Sequence, residues 1–150
     1  MKRPNWDEYF MQIAKLVSSR STCLSRQVGA VLVKDNCIIS TGYNGAAKGA
    51  FHCEEIGCIR KKLNVKSGEK LDLCRAVHAE ENTIVQAAKN GISTNGATLY
   101  VTVTPCFGCA KSIANAGIKE VVVAGQYPDN RTMELFEEIG INLRFINTTS

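Results

Sequence analysis

From residue 78 to residue 146 the chain alternates between helix-period segments and short β-rich runs, and this alternation restricts the fold more than any other feature. "HAEENTIVQAAKNG" (78–91) reads as a helix ended by Asn90 and Gly91, and "ATLYVTV" (97–103) as a strand. "CAKSIANAG" (109–117) reads as a helix stopped by Gly117, followed by the buried strand "EVVVAG" (120–125). "RTMELFEEIG" (131–140) and "INLRFI" (141–146) repeat the helix–strand pair. Ahead of them a helix covers about 5–19, with Trp6, Phe10, Ile13, Ala14 and Val17 at core spacing. "VGAVLV" (28–33) and "CIIS" (37–40) flank Asp35 and Asn36 as a hairpin. The expected fold is α/β: a three-layer α/β/α sandwich around a central five-stranded mixed sheet, mostly parallel.

At 150 residues the chain is expected to form a single domain over 1–150, large enough to bury a core without staples. One stretch breaks the economy. Between "TGYNG" (41–45) and Ala76 lie about 30 residues with little periodicity, and loops that long are usually functional or tethered. This insertion, at about 45–77, contains His52, Cys53, Cys58 and Cys74, so a tether is an open reading.

Seven cysteines are many for a reducing compartment, and an odd count disfavours a disulfide framework. The start "MKRPNWDEYF" lacks the apolar run of a signal peptide, and no stretch reaches the roughly 18 apolar residues of a membrane helix. A cytoplasmic protein with no membrane partner is expected, its cysteines serving metal ligation or catalysis. The net charge of +4 suits a phosphorylated small molecule and is weak support for a nucleic-acid surface, so no nucleic-acid partner is expected.

"HAE" (78–80) opens one expected helix and "PCFGC" (105–109) opens the next. Cys106 and Cys109, three apart, share a helix face, and Pro105 suits a helix entrance. His78 and Glu80 are two apart and face one pocket only if that pocket lies across the helix mouth. His78, Cys106 and Cys109 supply three ligands and leave a fourth tetrahedral position for water, the pattern of a catalytic zinc. Zinc lowers the pKa of its water to about 7. Glu80, an unligated carboxylate beside it, is placed to shuttle protons. H-x-E…P-C-x-x-C is the zinc-deaminase signature; each half is weak alone, and together in this context they are specific. A thioredoxin-like dithiol would leave "HAE" unexplained. Cys37 reads as a core residue of the hairpin, and "IRKKLNVKSGEK" (59–70) as a solvated basic face.

At these residues the sequence resembles the cytidine and deoxycytidylate deaminase family, in its deoxycytidylate branch. The resemblance covers nearly the whole chain, through "STCLSRQVGAVLVKDNCIISTGYNG" (21–45), "HCEEIGC" (52–58), "CRAVHAEEN" (74–82) and "TPCFGC" (104–109). It implies a cytidine deaminase-like fold and hydrolysis of dCMP to dUMP and ammonia, feeding thymidylate synthesis. It further implies that Asn44 binds the sugar hydroxyl, with Arg26, Asn82 and Tyr127 near the 5′-phosphate or base. It implies a homo-oligomer, a hexamer, activated by dCTP with Mg2+ and inhibited by dTTP, with Gly42, Tyr43 and Gly45 helping to form the effector site. In the light of the resemblance, Cys23, Cys53, Cys58 and Cys74 read as a second, structural zinc site, with His52 as an alternative ligand. Some phage relatives carry histidines where this chain has Cys58 and Cys74. The competing readings are a related nucleoside or tRNA adenosine deaminase and a non-catalytic, competence-associated zinc protein.

Overall fold

The computed structural model describes residues 2–66, 69–70, 73–125 and 129–147. The order is α1 (Trp6–Ser18), β1 (Gly29–Lys34), β2 (Cys37–Tyr43), β3 (Gly45–Ala46), α2 (Cys53–Ile56), α3 (Ile59–Lys62), β4 (Ala76–Val77) and α4 (Ala79–Lys89). β5 (Thr98–Val101), α5 (Phe107–Asn115), β6 (Glu120–Ala124), α6 (Asn130–Ile139) and β7 (Asn142–Ile146) complete it. The main sheet is five-stranded in the order β2-β1-β5-β6-β7. It is mixed: β1 runs antiparallel to both β2 and β5, whereas β5, β6 and β7 are parallel. Asp35 and Asn36 both take positive φ, the geometry of a tight hairpin turn, which short polar side chains tolerate.

Strand alternation divides the core in two. Leu32, Leu99, Val101, Val121 and Val123 pack with Ala79, Ala110, Ile113 and Phe136 of α4, α5 and α6. Val31, Val33, Tyr100 and Val122 point the other way, onto Phe10, Met11 and Ala14 of α1. Two successive β-α-β crossovers of one hand, stepping in one direction across the sheet, place α5 and α6 on the same face. The second outer layer is α1, which closes on β1 because Gly29 has no Cβ to meet the Ala14 carbonyl.

Two expectations about individual residues fail. Trp6 lies at the very start of α1, 55% exposed, and stacks its ring on Phe10 instead of entering the core. Cys37 is exposed at the first position of β2, just after the turn. The insertion is also more structured than its sequence indicates. A two-stranded ladder pairs Gly45 with Val77 and Ala46 with Ala76, pinning its two ends together.

An ionic cluster holds α1 to the far edge of the sheet. Arg144 donates to both carboxylate oxygens of Asp7 (2.8 and 3.0 Å) and to Glu120 (3.2 Å), and Tyr100 donates its hydroxyl to Asp7 (2.7 Å). The Arg144 hydrogen bonds hold the Asp7 carboxyl below its ordinary 3.8. A depressed folded-state value stabilises the fold above the unfolded value, and the contribution is lost as pH falls through the folded one. Asp7→Asn is expected to cost about 1 kcal/mol at pH 7, modest because Arg144 and Asp7 are 38% and 31% exposed. Thermal unfolding from pH 7 downward should show the gap narrowing below about pH 3.8; a gap independent of pH would refute the ionic origin.

Candidate metal centre

Two helix mouths meet at the site. His78 is the N-cap of α4 and Cys106 the N-cap of α5, its sulfur accepting from the Cys109 amide. Both helices begin there because Glu80 and Glu81 favour the first turn of α4, and because Pro105 leads into α5. The Pro105 carbonyl is in turn held by the Thr132 hydroxyl of α6 at 3.0 Å, which fixes the entrance to α5.

His78 Nδ1 lies 3.3 Å from Cys109 Sγ and 3.6 Å from Cys106 Sγ. Among the described residues, these three are the group of three or more His, Cys, Asp or Glu side chains whose ligand atoms all lie within 4.8 Å of one another. One imidazole nitrogen and two sulfurs suit zinc, with a position left over for a small ligand. Hydrogen bonding from Cys109, backed by His78, lowers the Cys106 thiol to about 4, while the same bond and burial raise Cys109. A bound cation would favour the thiolate form of both. The Cys106 sulfur also raises the His78 pKa. None of the seven cysteines is in a disulfide.

Glu80 is 4% exposed beside this group and is not among the three donors. Burial pushes its carboxyl up to about 7, against the opposing pull of its own backbone amide and of His78. A carboxyl near neutrality can both accept and release a proton. His78, Glu80 and Cys106 line a cavity of about 340 Å³, a size suited to a small molecule. Thr104 lines it too, and its Oγ1 is a buried oxygen with no hydrogen-bond partner among the described residues. Such an oxygen costs about 1–3 kcal/mol unless a polar group meets it, so the site is chemically prepared for a polar occupant.

Of the other expected site residues, Asn44 and Arg26 line this cavity. Buried Asn44 accepts from the Val28 amide (2.9 Å) and donates to the Arg26 carbonyl (2.8 Å), so one amide hydrogen remains to face a ligand. Arg26 is exposed. Asn82 does not line the cavity; its amide donates to the Tyr43 carbonyl (2.8 Å) and so ties α4 to β2. Tyr127 lies outside the described residues. Gly42 faces α4: a Cβ there would fall 2.6 Å from the Thr83 amide and 2.7 Å from the Ala79 carbonyl. Arg60 and Asp129 line the cavity without having been singled out in the sequence, Arg60 because its basic run resembles an ordinary solvated face.

Cys53 is buried, and its thiol is raised by that burial and then by the charges of Cys74, Cys23 and Cys58, although among the described residues no three of these four, nor His52 with two of them, bring their ligand atoms within 4.8 Å of one another. Cys23 and Cys74 also line the cavity. His52 caps α2, and its Nδ1 lies 2.9 Å from the Thr22 hydroxyl.

Residues 4–125 match the model of the cytidine and deoxycytidylate deaminase zinc-binding region. A deoxycytidylate deaminase of Schizosaccharomyces pombe is 44% identical over 95% of this chain and 44% of its own length. A deoxycytidylate deaminase of Mycobacterium phage D29 is 43% identical over 81% of this chain and 96% of its own length. The chain thus spans about half of the fission-yeast relative and nearly all of the phage one. The crystal structure of a dCMP deaminase from cyanophage S-TIM5, in complex with dCMP and dUMP, superposes with a TM-score of 0.78 at 30% identity. It covers 97% of this chain and all of that one.

Proposed function

The chain belongs to the cytidine and deoxycytidylate deaminase family, and we propose that it hydrolyses dCMP to dUMP and ammonia. The observation that carries this reading is a buried, unligated carboxyl, Glu80, beside a three-donor group of His78, Cys106 and Cys109. Those three residues would hold zinc, which would supply an activated water as the nucleophile. Glu80 would take one proton of that water and pass it to ring N3 as the C4–O bond forms. It would then take the second from the new C4 hydroxyl and pass it to the amine as the C4–N bond breaks and the C4 carbonyl forms. Asn44, its amide fixed by two backbone bonds, presents its remaining hydrogen to the sugar hydroxyl. Cavity walls of Val28, Ala76 and Val103 exclude water from the ring. Arg26 and Tyr127 serve the 5′-phosphate or the base, and Asn82 acts near them through the β2 corner it holds.

The test is turnover of dCMP beside deoxycytidine and an anticodon stem-loop. Turnover of the RNA without dCMP would favour the adenosine deaminase reading. Zinc-loaded protein inert on all three would favour the non-catalytic one. The family resemblance supports further assignments: activation by dCTP with Mg2+, inhibition by dTTP, an effector site near Gly42, Tyr43 and Gly45, and a homohexamer. Adding each nucleotide to the dCMP assay tests the regulation. A nucleotide substrate and zinc-held thiolates suit the reducing cytoplasm.

A second, structural zinc held by Cys23, Cys53, Cys58 and Cys74, with His52 as an alternative, would tether the insertion as part of one 1–150 domain. That Cys74, Cys23 and Cys58 each raise the buried Cys53 thiol electrostatically supports it. Because His52 Nδ1 is occupied by Thr22, Nε2 is the nitrogen left for ligation. Elemental analysis should give close to two zinc ions per chain. Cys53→Ser should drop this to one and lower Tm by about 10 °C, the scale of a roughly 3 kcal/mol loss. A wild-type count of one would remove the tether.

A further inference from the structure

The insertion contributes a cation to the catalytic cavity. Arg60 stands on α3 of the insertion, and it lines the same cavity as His78, Glu80 and Cys106. It is half-buried and braced from its own loop: Nε donates to the Glu69 carbonyl at 3.0 Å and Nη2 to the Lys66 carbonyl at 3.1 Å. These bonds use two of the five N–H groups of a guanidinium, so the fork is oriented while donors remain for a ligand. Arg26, the other guanidinium lining the cavity, is exposed.

The remaining charges decide where an anion is tolerated. Among the described residues, two carboxylates line the cavity, Glu80 and Asp129. Glu80 is committed to the metal end. Asp129 spends one oxygen on the Arg131 and Thr132 amides as the N-cap of α6. A substrate whose reacting ring sits between Glu80 and the three ligands must direct its charged end toward the remaining walls, where the two guanidinium groups stand. A braced side chain loses less rotamer freedom on binding than a loose one, so the braced arginine yields more affinity per bond.

We infer that Arg60 is the specificity-determining residue for the substrate's 5′-phosphate, so that the insertion reads the phosphate rather than merely covering the site. This rests on the dCMP reading given above. The experiment is calorimetric titration of zinc-loaded wild type, Arg60→Gln and Arg60→Lys with dUMP and with deoxyuridine. The readout is the ratio of the two dissociation constants, which is insensitive to the fraction of correctly folded protein and needs no turnover. Wild type should prefer dUMP strongly. Arg60→Gln should weaken dUMP by about 30- to 100-fold and leave deoxyuridine within about twofold, the effect of removing one charged partner. Arg60→Lys should fall between, retaining charge without the fork. Equal weakening of both ligands, or an unchanged ratio, would overturn the assignment and leave Arg60 as a loop brace. Failure of the dCMP reading would show separately, as wild type that binds dUMP but does not turn over dCMP.

Discussion

Glu80→Gln is expected to lower kcat on dCMP by about 10⁴-fold while leaving bound zinc unchanged. General acid–base groups contribute about 10²–10⁴. The upper end applies here because, in the proposed mechanism, one carboxyl serves both the attacking water and the departing amine. Glutamine preserves the volume of a side chain that is 4% exposed, so packing of the first turn of α4 is retained. It cannot carry a proton. Stability should hold or rise, since burial already disfavours the charged carboxylate strongly enough to push Glu80 up to about 7. Rapid-quench turnover together with zinc content separates the outcomes. Activity within tenfold of wild type would refute the proton-shuttle role, and loss of zinc would mean that Glu80 supports the ligands instead.

Gly42→Ala is expected to destabilise the fold by about 3 kcal/mol and to lower zinc retention and turnover with it. The added Cβ would fall 2.5 Å from Thr83 Oγ1, 2.6 Å from the Thr83 amide and 2.7 Å from the Ala79 carbonyl. Two of those atoms are helical backbone, which cannot rotate away, so α4 itself must shift. Overpacking of this kind costs about 1–3 kcal/mol. α4 carries Glu80 and is capped by His78, so any displacement of its first turn moves the proposed metal ligand and the proposed proton carrier together. Chemical denaturation, zinc content and kcat should change in concert. A variant with normal stability and activity but altered response to dCTP or dTTP would place the importance of Gly42 in effector binding.

Much of this molecule is legible locally. Asp35 and Asn36 announce the hairpin, and the helix periods announce α1, α4, α5 and α6 to within a few residues. The start of α5 differs: the sequence suggests Cys109, whereas the helix begins at Phe107 because Cys106 caps it. The short elements β3, α2, α3 and β4 have no periodic signature, being only two to four residues long. They depend on tertiary pairing, which pins the two ends of the insertion together.

What the sequence determined by itself is the identity of the chemistry. His78, Glu80, Cys106 and Cys109 stand at spacings that local helix geometry converts into three donors and a buried carboxyl at two helix mouths. Tertiary structure alone decided which other residues share that space. It turned Asn82 toward the Tyr43 carbonyl, put Gly42 under α4, left Trp6 on the surface, and brought Arg60 to the cavity. The reason is physical: spacing along the chain encodes periodicity over a few turns, whereas the meeting of distant segments depends on which surfaces pack. Arg60 sits in a run that reads as an ordinary basic face, and only the folded insertion turns one of those charges inward.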